Sequence, residues 1–210
     1  MGVVTISRQF GAGGWTLGKK LCERFGFGLV TEEVIDSLAR VQKVSPDWLK
    51  AVEMEATSKL LDAISSVVST GLFYRSPSPE AEGYERKRYI EFLSHVMGEM
   101  ADRGGYVIVG RGAQFVLRHH PKALHVMLAA EYEDRVQFLV KNYDLSLSEA
   151  EESVKEKERQ RGSVASRIFQ TDVNDPKLYH VILNTSLLPF DWAVETVIDL
   201  VSKFLARERA

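Results

Sequence analysis

Val3-Val4-Thr5-Ile6-Ser7-Arg8-Gln9-Phe10-Gly11-Ala12-Gly13-Gly14-Trp15-Thr16-Leu17 decides the fold. The opening five residues are β-branched or small and apolar toward both faces, the pattern of a short parallel strand buried on both sides. Three glycines follow between Arg8 and Gly14. From Thr16 the period changes: Leu17, Leu21 and Phe25 recur every fourth residue and Gly26 comes next, which predicts an amphipathic helix with a glycine at its C-terminal cap. Glycines admit positive φ and let successive main-chain N–H groups turn to one side. The helix start adds unpaired N–H groups and a partial positive charge. A strand, a glycine loop and a helix mouth in this order make a cradle for an anion, phosphate above all.

Working outward, Gly28-Leu29-Val30 reads as a second strand, Tyr106 to Val109 as a third running into Gly110-Arg111-Gly112, Leu124 to Leu128 as a fourth and Val181 to Leu183 as a fifth. The stretch from about Glu32 to Met100 reads as mostly helical, interrupted by a loop at Ser76-Pro77-Ser78-Pro79. Tyr89, Leu93, Val96, Met97 and Met100 share one helical face and are expected in the core. A helix is expected from about Glu131 to Asn142. Another begins near Ser146 or Ser148, each with a glutamate three residues on, and runs through the charged stretch Lys155 to Arg161. A last amphipathic helix carries Trp192, Val197, Val201 and Leu205. Strands alternating with helices imply an α/β fold, a parallel sheet of about five strands with helices on both faces. Right-handed crossovers then gather the loops at Arg8–Gly14, Gly110–Gly112 and Asn184–Ser186 along one sheet edge, where ligands bind.

Composition narrows the function. The chain has 210 residues, 45% hydrophobic and 27% charged, enough for one domain with a real core. A net charge of −2 argues against a nucleic-acid footprint, which needs clustered cations in surplus. Cys22 stands alone, so it forms no intrachain disulfide and reads as a small buried apolar side chain. No apolar run approaches a membrane span and no leader precedes Val3, which makes cytoplasm the expected compartment. The five histidines include no i, i+4 pair and no metal-ligand set is expected. The glycine loop itself matches neither common phosphate-binding pattern in full. Counting from Gly11 and Gly13, the third glycine of the dinucleotide fingerprint falls on Thr16, although Glu32 lies about where a ribose ligand would. The Walker pattern lacks its lysine and the hydroxyl residue beside it.

Several ordered segments resemble the cytidylate kinase-like family, a branch of the nucleoside monophosphate kinases. Ile6-Ser7-Arg8-Gln9-Phe10-Gly11-Ala12-Gly13-Gly14 resembles its phosphate loop; Leu17-Gly18-Lys19-Lys20-Leu21 and Glu23-Arg24-Phe25-Gly26 resemble its first helix. Val107-Ile108-Val109-Gly110-Arg111-Gly112-Ala113 is similar to its middle strand and loop, Arg135 falls on the helix carrying its arginine after a strand, and Leu183-Asn184-Thr185-Ser186 is similar to its last strand. The resemblance runs from about Val3 to Val201.

The resemblance implies a P-loop NTPase-type three-layer fold with a helical acceptor-binding insert over about residues 32–101 and a lid over about 155–176. It implies transfer of the γ-phosphoryl group of ATP, with Mg2+, to CMP or dCMP, or to another small phosphorylated acceptor. Gly11, Ala12, Gly13, Gly14, Trp15 and Thr16 would hold the donor phosphates. Arg111 would grip the acceptor phosphate, with Arg135 and Arg40 as further acceptor contacts, and Arg161, joined by Arg159 and Arg167, would close over the transferring charge. The resemblance also shows departures. Gly14 stands where ordinary cytidylate kinases have the phosphate-loop lysine, Trp15 where a serine or basic residue is expected, Thr31 where an aspartate is usual, and Ser37 near an expected acceptor arginine. Arg8 or Lys19 is left to supply the missing cation. Two functions stay open: an ATP-dependent nucleoside monophosphate kinase, and a nucleotide-binding regulatory or sensor protein of the same fold that has lost phosphoryl transfer. Homo-oligomerisation is left open as well.

Overall fold

A computed structural model describes residues 2–35 and 79–207, without the side chains of residues 79–86 and 88. The elements are β1 (Val3–Arg8), α1 (Gly14–Phe25), β2 (Gly28–Val30), α2 (Pro79–Arg103), β3 (Tyr106–Val109), α3 (Ala113–Val116), β4 (Ala123–Ala129), α4 (Tyr132–Tyr143), α5 (Leu147–Val164), β5 (Val181–Asn184) and α6 (Phe190–Arg207). All five expected strands form. They make one parallel sheet in the order β2-β3-β1-β4-β5, with β1 in the centre. Ser37, Arg40 and residues 76–78 of the expected loop lie outside the described residues, and Pro79, expected as the last loop residue, instead opens α2.

Alternation along β1 explains the layers. Val4 and Ile6 face α1 and α6, joining Leu17, Leu21, Val197 and Val201 in one core cluster. Val3 faces the other way, joining Leu93, Val96, Met97 and Met100 of α2. A sheet buried on both faces needs apolar side chains at every strand position. Thr5 and Ser7 are buried polar exceptions in β1, and Arg8, which ends the strand, is half-buried. A third cluster of Val136, Leu139, Ala150 and Val154 fixes α5 to α4.

Caps fall where local chemistry directs them. Gly26 ends α1 at φ +69° and donates its N–H to the Cys22 carbonyl at 2.8 Å. Ser146, rather than Ser148, starts α5 through a reciprocal box with Glu149. The expected inward placement of Trp192 is corrected: it is 62% exposed. The buried stripe of α6 is Ala193, Val194, Val197 and Val201. Trp192, five residues before Val197, lies about 140° round the helix from it. Cys22 is half-buried against the α1 core cluster, and burial, aided by Glu23, pushes its thiol up to about 12. Among the described residues no helix is long and apolar enough to cross a membrane.

Candidate functional site

Parallel strands bring the loops after β1, β3 and β5 to one edge. The glycine loop is tied down from behind. The Gln9 amide donates to the Leu128 carbonyl at 2.9 Å, and the Gln9 side-chain oxygen accepts from the Ala130 amide at 2.9 Å. The Thr185 hydroxyl lies 3.4 Å from the Ala12 carbonyl, so the loop after β5 supports the glycine loop. Gly11 and Gly13 take φ of +88° and +89°, where an L side chain is strained. A Cβ on Gly11 would collide with the main chain and Cβ of Arg135, and one on Gly13 with the Phe190 ring.

The mouth of α1 is open. Gly13 supplies no side-chain cap and the first turn holds no acid. The amides of Gly13, Gly14, Trp15 and Thr16 have no main-chain acceptor among the described residues. Trp15 packs against the core cluster of α1, with Lys19 Nζ 5.7 Å from its ring and the Tyr143 ring at 6.3 Å. Lys19 is therefore engaged on the outer side of α1. Thr16 Oγ1 shares a hydrogen bond of 3.3 Å with the Tyr143 hydroxyl. A hollow of about 420 Å3 beside this turn is lined by Thr16, Lys20, Phe138, Asn142, Phe190 and Asp191, among others.

Arg8, at the last position of β1, lies across Gly14: an ideal Cβ there would stand 2.8 Å from Arg8 Cγ and 2.9 Å from its Cβ. Its Nη1 reaches Glu32 Oε1 at 2.7 Å. Burial pushes the Glu32 carboxyl up, but Arg8, Arg111, the Arg8 hydrogen bond and Lys157 together outweigh it and hold the group below its ordinary range. Three cations from β1, the loop after β3 and α5 thus act on one carboxylate. A Cβ on Gly110 would collide with both Glu32 and Arg8, which explains a glycine there. Arg111 itself has φ +50°, between Gly110 at +88° and Gly112 at +70°. A non-glycine residue in this region costs about 1–2 kcal/mol, and such strain gathers at functional sites.

A second carboxylate joins the remaining arginines. Glu158 on α5 accepts from Arg161 Nη1 at 2.7 Å and from Arg135 Nη1 at 3.2 Å. Arg161 also donates to Asn174 Oδ1 at 3.0 Å and lies 3.5 Å from the Met127 sulfur near the end of β4. Arg135 is 8% exposed, and the Nε groups of Arg135 and Arg161 are buried without a partner. Both guanidinium groups therefore keep unused donor capacity, and Arg135 lies against Gly11 of the glycine loop. Arg159 instead pairs with Glu156 at the surface, and Arg167 is exposed.

Sequence reasoning missed three participants: Glu32 as partner of Arg8, Glu158 as bridge between arginines, and Tyr179. The Tyr179 hydroxyl donates to the Val173 carbonyl at 2.5 Å and shares a 3.2 Å hydrogen bond with Ser7 Oγ. No local spacing announces any of the three. Glu32 alone carried a signal, as the acid about twenty residues beyond the glycines, and there it pointed to a ribose rather than to Arg8.

Comparison with known proteins bears on the family and the fold. Cytidylate kinase from Pyrococcus horikoshii is 26% identical over 199 residues, which span 95% of this chain and 85% of that protein. Among solved structures, an uncharacterized protein from Eubacterium ventriosum superposes with a TM-score of 0.67 at 16% identity, covering 96% of this chain and 99% of its own. A sugar kinase from a Janibacter species gives 0.51 at 14% identity, over 98% of this chain and 95% of its own. At such identities the two structures speak for the fold alone. The model of the Cytidylate kinase-like family matches residues 3–187, a span that holds all five described strands, and the chain belongs to that family.

Proposed function

We propose that the chain transfers the γ-phosphoryl group of ATP to a nucleoside monophosphate, CMP or dCMP by family. The observation that carries this reading is the Arg8–Gly14 arrangement: a guanidinium stem fills the space of the missing side chain at the mouth of an uncapped helix. Arg8 is thereby favoured over Lys19 as the substitute cation. The amides of Gly11 to Thr16 would hold the donor phosphates, a fit supported by the uncapped mouth of α1, where the amides of Gly13 to Thr16 have no main-chain acceptor among the described residues. Arg111 would clamp the acceptor phosphate through its planar fork, with Arg135 beside the loop. Arg161 would neutralise charge on the group in flight. In the reaction so written, an oxygen of the acceptor phosphate bonds to the γ-phosphorus as the bond to the departing ADP oxygen breaks. Residues 155–176 would act as the lid, with Glu158 and Glu32 keeping the arginines placed before the phosphates arrive. Among the described residues no cluster of three acidic, histidine or cysteine side chains could hold a metal. The Thr16 hydroxyl at the first turn of α1, shared with Tyr143, is an oxygen that would be open to Mg2+ there.

A second reading, a nucleotide-binding sensor without turnover, is favoured by the indole of Trp15 in the first turn of α1 and by Thr31, buried at the end of β2 where an acid is usual. A turnover assay with ATP, Mg2+ and a panel of nucleoside monophosphates and small metabolites separates the two. Acceptor-dependent ADP release supports the kinase; nucleotide binding without release supports the sensor. Arg111→Ala is expected to weaken acceptor binding about ten-fold or more while sparing ATP. An acceptor affinity equal to that of the parent protein removes Arg111 from the site.

A further inference from the structure

The opposite edge of the sheet, where the strands begin, holds a second hollow of about 440 Å3. Arg118 and His119 enter it from the turn after α3, Pro121 precedes β4, His180 precedes β5, and Phe204 and Arg207 come from the last turns of α6. Among the described residues no carboxylate lines it. Neither Arg118 nor Arg207 has a side-chain hydrogen bond or an ion pair among the described residues. Two guanidinium groups thus flank one cavity that no carboxylate lines among the described residues.

The histidines add a preset donor. His180 Nδ1 accepts the main-chain N–H of His125 at 2.9 Å. In the neutral ring the proton must then sit on Nε2, which has no partner among the described residues. Burial lowers the His180 pKa and favours that neutral form. His120 differs: its Nδ1 accepts from the Lys122 amide at 3.3 Å and its Nε2 lies 3.3 Å from Asp102, so its capacity is spent. The Phe204 ring meets the His180 ring edge-on at 6.4 Å and, with Pro121, gives the hollow an apolar wall.

We infer that this hollow binds a small phosphate monoester, whose oxygens take Arg118, Arg207 and His180 Nε2–H and whose carbon part lies on Phe204 and Pro121. Guanidinium forks match phosphate geometry, and the volume suits a small organic ligand. The site lies at the strand starts, away from the glycine loop at the strand ends, and does not depend on the phosphoryl-transfer reading.

Amide NMR spectra with phenyl phosphate and inorganic phosphate as probes test it. The amides of Ala123 and His180 report this hollow, and those of Gly13 and Gly14 report the glycine loop. Saturable shifts at Ala123 and His180 are expected with both probes, at lower concentration for phenyl phosphate. Arg118→Ala with Arg207→Ala is expected to weaken this response about ten-fold or more while leaving the Gly13 and Gly14 response unchanged. Both arginines are exposed, so the fold should tolerate the change, and Arg118→Lys with Arg207→Lys should retain part of the binding. Shifts confined to Gly13 and Gly14, or shifts at Ala123 that persist in the alanine variant, overturn the proposal. Equal affinity for the two probes overturns its apolar half.

Discussion

An ideal Cβ on Gly14 would press on the first two side-chain carbons of Arg8, and neither atom can swing away as the tip of a long side chain could. In the proposed reaction the two positions would act as an exchanged pair: cation on the strand, no side chain on the helix. Inserting the lysine that ordinary cytidylate kinases have, by Gly14→Lys alone, should lower nucleotide affinity, because the new stem displaces Arg8. Arg8→Ala alone should lower it about ten-fold or more, through loss of a charge-assisted phosphate contact and of the Glu32 pair. Combining Arg8→Ala with Gly14→Lys should recover affinity relative to either single variant, a coupling of about 1 kcal/mol or more by nucleotide titration. Strict additivity of the two changes would show that Arg8 does not stand in for the lysine.

Helix ends divide the elements by task. α5 closes its first turn with the Ser146–Glu149 box, whereas α1 leaves its own open. α5 then reaches back to α4 through Glu158, whose side chain is 32% exposed against 9% for Arg135. Glu158→Gln keeps the shape but leaves the Arg135 charge buried without its counterion. Allowing for solvent at the exposed glutamate, a loss of about 1–3 kcal/mol in urea unfolding is expected. An unchanged midpoint would make the bridge a surface contact of no weight. At this scale the sequence was most readable. The five strands, the Gly26 cap and the Ser146 box all depend on neighbours within a few residues, where period and backbone chemistry speak directly. The pairing of Arg8 with Glu32 spans 24 residues and joins separate elements, that of Arg135 with Glu158 spans 23, and Tyr179 meets Ser7 across 172. Such partners are chosen by packing. Trp192 shows the same limit in reverse, since an aromatic residue near an apolar stripe need not lie on it.

Across the whole molecule one buried histidine ties together the sheet and the segment before β4. His125, 2% exposed, donates Nε2–H to the Leu117 carbonyl at 3.2 Å, so its Nδ1 is the acceptor for the Thr5 hydroxyl at 2.7 Å. Every ring nitrogen is used by the neutral form, and a second proton on Nδ1 would force the Thr5 hydroxyl to turn from donor to acceptor in a buried site. Burial, with His180 nearby, lowers its pKa to about 4 despite the opposing Leu117 bond. The unfolded chain, by contrast, binds a proton there near the usual histidine value of about 6.5. Between these two values the unfolded state holds more protons, so stability rises with pH. The contribution is complete above about pH 6.5 and is lost as pH falls toward about 4, on the order of 3 kcal/mol in all. His180, lowered by burial as well, adds with the same sign. Urea midpoints measured between about pH 7 and pH 5, above the range where carboxylates titrate, should fall with acidification in the parent protein. His125→Gln, which keeps a donor and an acceptor without a titratable ring, should flatten most of that slope. A slope equal in the two proteins would place the proton elsewhere and leave His125 a packing residue only.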